Sequence, residues 1–223
     1  MTASAVLAAC DHVLLDFDGP VCAVFGGHLS DRDVAGRLKV LLGADLPRGV
    51  RATHDPFEVL AYAAECGPST AVVVEAQLRR LETEAVASAP VTPGVAEALR
   101  HLTSAGYTVT VVSNNSVAAI RAFLTLHDLI GFVRGIAARA FADPGLLKPN
   151  PYLVNMAVRG RGTSPDRCVL VGDSSTDIEA ARAAGVPVIA FANKPGKLER
   201  FRARRADAVI TSLAELSVAD GAL

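Results

Sequence analysis

The sequence predicts an α/β protein: a parallel sheet wrapped on both faces by helices, interrupted near its start by an all-helical insertion. Three observations point there. From residue 90 onward, short β-branched runs alternate with helix-length stretches, the pattern of strand–helix–strand units. Between residues 21 and 89 the pattern is helical throughout. The strand candidates end in acidic, hydroxyl or amide residues, at the edge where such sheets bind their ligands.

The first strand candidate is His12-Val13-Leu14-Leu15, an apolar run closed by Asp16-Phe17-Asp18-Gly19-Pro20. Strand side chains alternate, so Asp16 and Asp18 are expected on one face, close together, where a buried strand ends. Two such carboxylates repel unless a cation or a shared proton offsets them. Residues 31–42 read as a helix stopped by Gly43. Asp55-Pro56 is a helix start, with Asp as cap and Pro at the first helical position. That helix runs to Cys66, where Gly67-Pro68 stops it, and a longer one is expected over 69–87.

Thr92-Pro93-Gly94 opens a helix ending at Gly106, and residues 107–112 follow as a buried strand. A helix over 117–126, a strand over 167–171 and a helix over 177–184 come next, the last ended by Gly185. Residues 186–191 and 208–210 are two more short strands. The helical insertion reads as a lid over the first strand's end. Residues 1–19 and 90–223 are therefore expected to form the core, and 20–89 a helical cap.

Composition narrows the function. Hydrophobic residues are 51% of the 223, and charged ones 20%, the profile of a soluble protein with a substantial core. No apolar run reaches the roughly 18–20 residues of a membrane span. The apolar N-terminus lacks the basic start of a signal peptide. A net charge of −1, with no long basic block, argues against a nucleic-acid partner. Cys10, Cys22, Cys66 and Cys168 are scattered, which suggests neither zinc nor a disulfide framework but thiols in a reducing cytoplasm. A monomer and a homodimer are both open.

The chemistry gathers at the strand ends. Asp16 and Asp18 close the first strand, Ser113-Asn114-Asn115 the second, and Gly172-Asp173 with Asp177 a later one. Lys148 lies between, in Leu147-Lys148-Pro149-Asn150-Pro151. Several carboxylates with few bases make a hard, oxygen-rich pocket that suits Mg²⁺ and a phosphate oxygen. Asp16, beside a metal and an ammonium, would stay ionised and act as a nucleophile. Asp18 would protonate a leaving alcohol and then deprotonate the attacking water. Ser113 and Asn114, with backbone amides after the strand, would grip phosphoryl oxygens. Lys148 is a point charge suited to phosphoryl transfer. Asp173 would be a metal ligand, and Asp177 would ligate through water or orient Lys148.

These four motifs, in this order, resemble those of the haloacid dehalogenase superfamily of phosphohydrolases, in its phosphoglycolate phosphatase-like branch with a helical cap. The resemblance implies a Rossmann-like core and a cap controlling substrate entry. It implies Asp16 as nucleophile, Asp18 as acid/base, and Mg²⁺ held by Asp16, Asp173 and the Asp18 backbone carbonyl. The implied activity is a Mg²⁺-dependent phosphatase that takes a small phosphorylated metabolite through an aspartyl-phosphate.

A phosphomutase of the same superfamily would share every catalytic residue. The 2-halo acid dehalogenases lack the second Asp, so Asp18 argues against them. A binding protein that lost turnover would show a broken motif, and none is broken. The chain departs from sugar-phosphate relatives after Gly19, where an acidic residue and a hydroxyl partner are missing from Pro20-Val21-Cys22-Ala23-Val24-Phe25-Gly26-Gly27-His28. This leaves the substrate unassigned, and Phe25-Gly26-Gly27 reads as a hinge. Arg32, Arg51, His54 and the basic run over 194–205 read as solvated charge rather than anion sites.

Overall fold

A computed structural model describes residues 1–217. A short helix, α1 (Ala3–Leu7), leads into β1 (His12–Leu15), which is buried along its whole length. Four helices follow before the chain returns to the sheet: α2 (Asp31–Val40), α3 (Arg48–Ala52), α4 (Pro56–Glu65) and α5 (Pro68–Val86). The alternating part comprises α6 (Val95–Ser104), β2 (Thr108–Ser116), α7 (Val117–Leu126), β3 (Gly135–Arg139) and α8 (Tyr152–Arg161). It continues with β4 (Cys168–Gly172), α9 (Ser175–Ala183), β5 (Val188–Phe191), α10 (Lys197–Ala203) and β6 (Ala208–Ile210).

Among the described residues the strands form one six-stranded sheet, every pairing parallel, in the order β3-β2-β1-β4-β5-β6. Alternation divides the core. Val13 and Leu15 face one side, with Val109, Val111, Val169 and Val171, under α1, α6 and α7. Leu14 faces the other, with Val112, Leu170 and Val188, under α8 and α9. Both faces being covered explains why these strands are continuous apolar runs rather than alternating ones.

The helix signals act as physical caps. Asp55 accepts the Phe57 amide at 2.8 Å, with Pro56 opening α4. Ser30 and Asp33 form a reciprocal capping box on α2. Four elements escaped the sequence: α1, α3, β3 and α8. β3 reads Gly-Ile-Ala-Ala-Arg and lies at the sheet edge, with too little β-branching to signal a strand.

The sheet reverses order about β1, whose neighbours are β2 and β4. A crevice opens at the carboxyl ends of strands at such a point. Asp16 follows β1, Ser113 lies in β2, and Asp173 follows β4. The insertion does not float free, because α5 packs along α7 of the core. No helix among the described residues is long and apolar enough to cross a membrane.

Candidate active site

β1 stops at Leu15, but the Asp16 amide still donates to Val171 O at 2.9 Å, holding Asp16 at the sheet's edge. Beyond Leu15 the chain bends, and Asp18 pairs in an isolated bridge with Cys22. The acidic residues brought together are Asp16, Asp173 and Asp177, each offering one carboxylate oxygen within 4.8 Å of the others'. Asp18 instead accepts the Val24 amide at 2.9 Å, bracing the loop that enters the insertion.

Lys148 is the centre of charge balance. Its Nζ lies 2.7 Å from Asp16 Oδ1 and 2.6 Å from Asp177 Oδ1, and it donates to Val112 O at 3.1 Å. All three side chains are buried, so the attractions are poorly screened. The two carboxylates hold the ammonium well above its usual range, against the opposing effect of burial. Asp16 is pushed upward by burial and by the charge of Asp177, while Lys148 pulls the other way. Asp177 has a second task. Its Oδ2 accepts the Ser174 amide at 3.0 Å and hydroxyl at 2.6 Å, capping α9.

Asp173 is held by residues outside the four motifs. Lys197 Nζ lies 2.5 Å from its Oδ2, and Asn193 Nδ2 donates to the same oxygen at 2.9 Å. Reading the basic run as solvated fails for Lys197, whose side chain is 17% exposed and points into the site. A lysine within a basic stretch carries no local signal of a remote carboxylate partner. Lys194 of the same run does face solvent. It lines a cleft of about 390 Å³ with Asp18, Thr92, Asp173 and Asn193. Asp18 is exposed at its rim, but the surrounding protein displaces enough water to push its carboxyl up to about 6, and the Asp173 charge adds to this.

The end of β2 is tightly organised. Ser113 Oγ donates to Asn115 Oδ1 and accepts the Asn115 amide, both at 3.2 Å. The expected substrate-binding role of Asn114 meets a competing task. Its Nδ2 donates to Lys148 O at 3.1 Å and its Oδ1 accepts the Lys148 amide at 2.8 Å, so both amide atoms are occupied. The amides of Asn115 and Ser116 are also engaged within the protein.

The Asp16–Asp173–Asp177 cluster fits a hard divalent cation: its donors are all carboxylate oxygens, crowded enough to need positive charge. Gly19 leaves the space. Its φ is +104°, and a Cβ there would stand 2.2 to 2.6 Å from the Asp173 carboxylate atoms.

Residues 55–191 match the model of a family described as haloacid dehalogenase-like hydrolase. The chain is similar to a phosphoglycolate phosphatase of Xanthomonas campestris, 30% identical over 83% of this chain and 81% of that protein. It is also similar to a phosphoglycolate phosphatase of Mesorhizobium japonicum, 39% identical over 44% of this chain. There the matched stretch spans only 42% of the relative's length. Among solved structures, CbbY of Rhodobacter sphaeroides in complex with phosphate superposes with a TM-score of 0.71, covering 93% of this chain and 96% of that one. At 22% identity this likeness shows the fold alone.

Proposed function

This chain belongs to the haloacid dehalogenase-like hydrolases, and on that premise we propose that it is a Mg²⁺-dependent phosphatase of a small phosphomonoester. The observation that carries the proposal is the buried Asp16–Lys148–Asp177 chain beside Asp173, at the sheet's switch point. Phosphoglycolate is the first substrate to try, because the relatives named above act on it by name.

Asp16 Oδ attacks the phosphorus, and the bond from phosphorus to the leaving oxygen breaks. Asp18 gives its proton to that oxygen, and its raised pKa of about 6 suits a group that must first hold a proton. Water then attacks the aspartyl-phosphate while Asp18 takes the water's proton. The acyl-phosphate bond breaks and Asp16 returns as a carboxylate. Lys148 offsets negative charge spreading over the phosphoryl oxygens and favours the ionised form of Asp16 against burial and the charge of Asp177. Asp16, Asp173 and the Asp18 backbone carbonyl would hold Mg²⁺, which when bound supplies positive charge against the acidic cluster and the phosphoryl group. On binding, the Ser113 hydroxyl turns its proton from Asn115 Oδ1 to the phosphoryl group, and Asn114 positions Lys148.

Residues 20–89 act in this reading as a cap over the cleft, and residues 1–19 and 90–223 as the core. The stretch 218–223 lies outside the described residues. Free thiols at all four cysteines support a reducing, cytoplasmic setting.

Phosphate release from phosphoglycolate and p-nitrophenyl phosphate, with Mg²⁺ and with EDTA, tests the function. Release that needs Mg²⁺ is the expected result. No release from any phosphomonoester of a metabolite panel would overturn the assignment. Return of labelled phosphate to an isomer of the substrate would make the chain a mutase instead.

A further inference from the structure

Behind the site lies a second charged cluster. Arg139 ends β3, and its side chain is 1% exposed. One guanidinium nitrogen meets Glu75 at 2.5 Å and another meets Glu82 at 2.6 Å. Its Nε donates to the backbone oxygen of Asn114 at 3.0 Å. Glu75 and Glu82 lie about two turns apart on α5, so both present to the same side. Burying three charges is a poor way to fasten a helix, since apolar packing of similar volume does as well or better. The directional bonds the cluster makes need another reason.

The two glutamates differ in reach. Glu75 meets Arg139 and, at 3.7 Å, the half-exposed Arg79. Glu82 continues into the site. Its Oε1 accepts Asn115 Nδ2 at 3.2 Å, and its Oε2 accepts the Ser116 amide at 3.0 Å. Asn115 in turn holds the Ser113 hydroxyl. Arg139 holds Asn114, whose carboxamide clamps the Lys148 backbone on both sides.

We propose that Arg139 and Glu82 are positioning residues: through Asn114 and Asn115 they fix the Lys148 ammonium and the Ser113 hydroxyl at the reacting centre. The proposal rests on the phosphatase function given above. Glu82 belongs to the helical insertion, and Lys148 and Ser113 to the sheet's loops and strands. Docking of α5 is thereby built into the geometry that meets the phosphoryl group.

Glu75→Gln, Glu82→Gln, Arg139→Lys and the apolar triple variant Glu75→Leu/Glu82→Leu/Arg139→Met separate positioning from mere stability. Each is assayed for kcat, KM, inhibition by orthophosphate and Tm. Glu82→Gln cannot accept at both side-chain termini, and Arg139→Lys loses the Nε donor that reaches Asn114 and the fork that holds both glutamates. Both are expected to lower kcat by about tenfold to a hundredfold, the scale of a small misplacement of reacting groups. Orthophosphate inhibition should weaken with it. Glu75→Gln loses a buried ion pair and some Tm, but its kcat should stay within about twofold of wild type. The triple variant is expected to fold, with a Tm lowered by the Asn115 and Ser116 donors it leaves unpaired, and to show the same kcat loss as Glu82→Gln. Folded Glu82→Gln, Arg139→Lys or triple variants with wild-type kcat and phosphate inhibition would overturn the positioning role while leaving the phosphatase standing. An inactive wild type would instead remove the phosphatase assignment, and the positioning role with it.

Discussion

The ammonium of Lys148 bridges Asp16, at 2.7 Å, and Asp177, at 2.6 Å, in a pocket from which solvent is almost absent. One lysine thereby joins the end of the first strand to the start of the helix after the fourth. It is the one cation in direct contact with Asp16 among the described residues.

Lys148→Met should remove both activity and stability. It leaves two buried carboxylates without their shared cation, and breaking a buried pair by deleting one partner costs about 3–5 kcal/mol. Urea unfolding of the metal-free protein measures this. A loss below about 1 kcal/mol would mean that the charge balance comes from elsewhere.

Asp16→Asn should abolish turnover and leave the protein at least as stable as wild type. The substitution removes one charge from a cluster of three, and Asp177 still pairs with Lys148. Thermal melts beside a phosphate-release assay check both halves. Retained Mg²⁺-dependent turnover would exclude Asp16 as the nucleophile.

Asp18→Ala should lower kcat by roughly 10²–10⁴-fold, the contribution of a general acid and base. The fold should hold, because the carboxylate is exposed and accepts only a loop amide, that of Val24, among the described residues. An unchanged kcat in steady-state assays would take Asp18 out of the mechanism.

Gly19→Ala should weaken metal use more than it weakens the fold. The added methyl must occupy the space of the Asp173 carboxylate, at a φ that L-residues rarely adopt. The Mg²⁺ concentration for half-maximal activity should rise severalfold. An unaltered Mg²⁺ titration would show that Asp173 does not serve the metal.

Adding Mg²⁺ should raise Tm, since a ligand bound only by the folded state stabilises it in proportion to RT ln(1 + [L]/Kd). EDTA should reverse the rise, and Asp173→Asn should abolish it. A Tm indifferent to Mg²⁺ in the wild type would argue against a cation at the acidic cluster.

Much of this was legible along the chain. Residues 12–15, 107–112 and 167–171 are apolar enough to be strands buried on both faces, and they pair side by side in the sheet. Asp55-Pro56 and the glycines after the helices mark real ends, because capping and left-handed turns are local events. Lys197 was taken for surface charge, and Glu75 and Glu82 went unremarked within the helix over 69–87.

The amino-acid order by itself determined which segments become strands and helices, and which chemistry-bearing residues stand at their ends. Hydrophobic period and capping act over a few residues, so they can be read without knowing the fold. Only the tertiary structure decided which charges meet. Lys197 reaching Asp173, and Arg139 joining α5 to the end of β2, depend on strand order and helix docking. A charged side chain looks the same in sequence whether its partner is water or a buried carboxylate from a distant part of the chain.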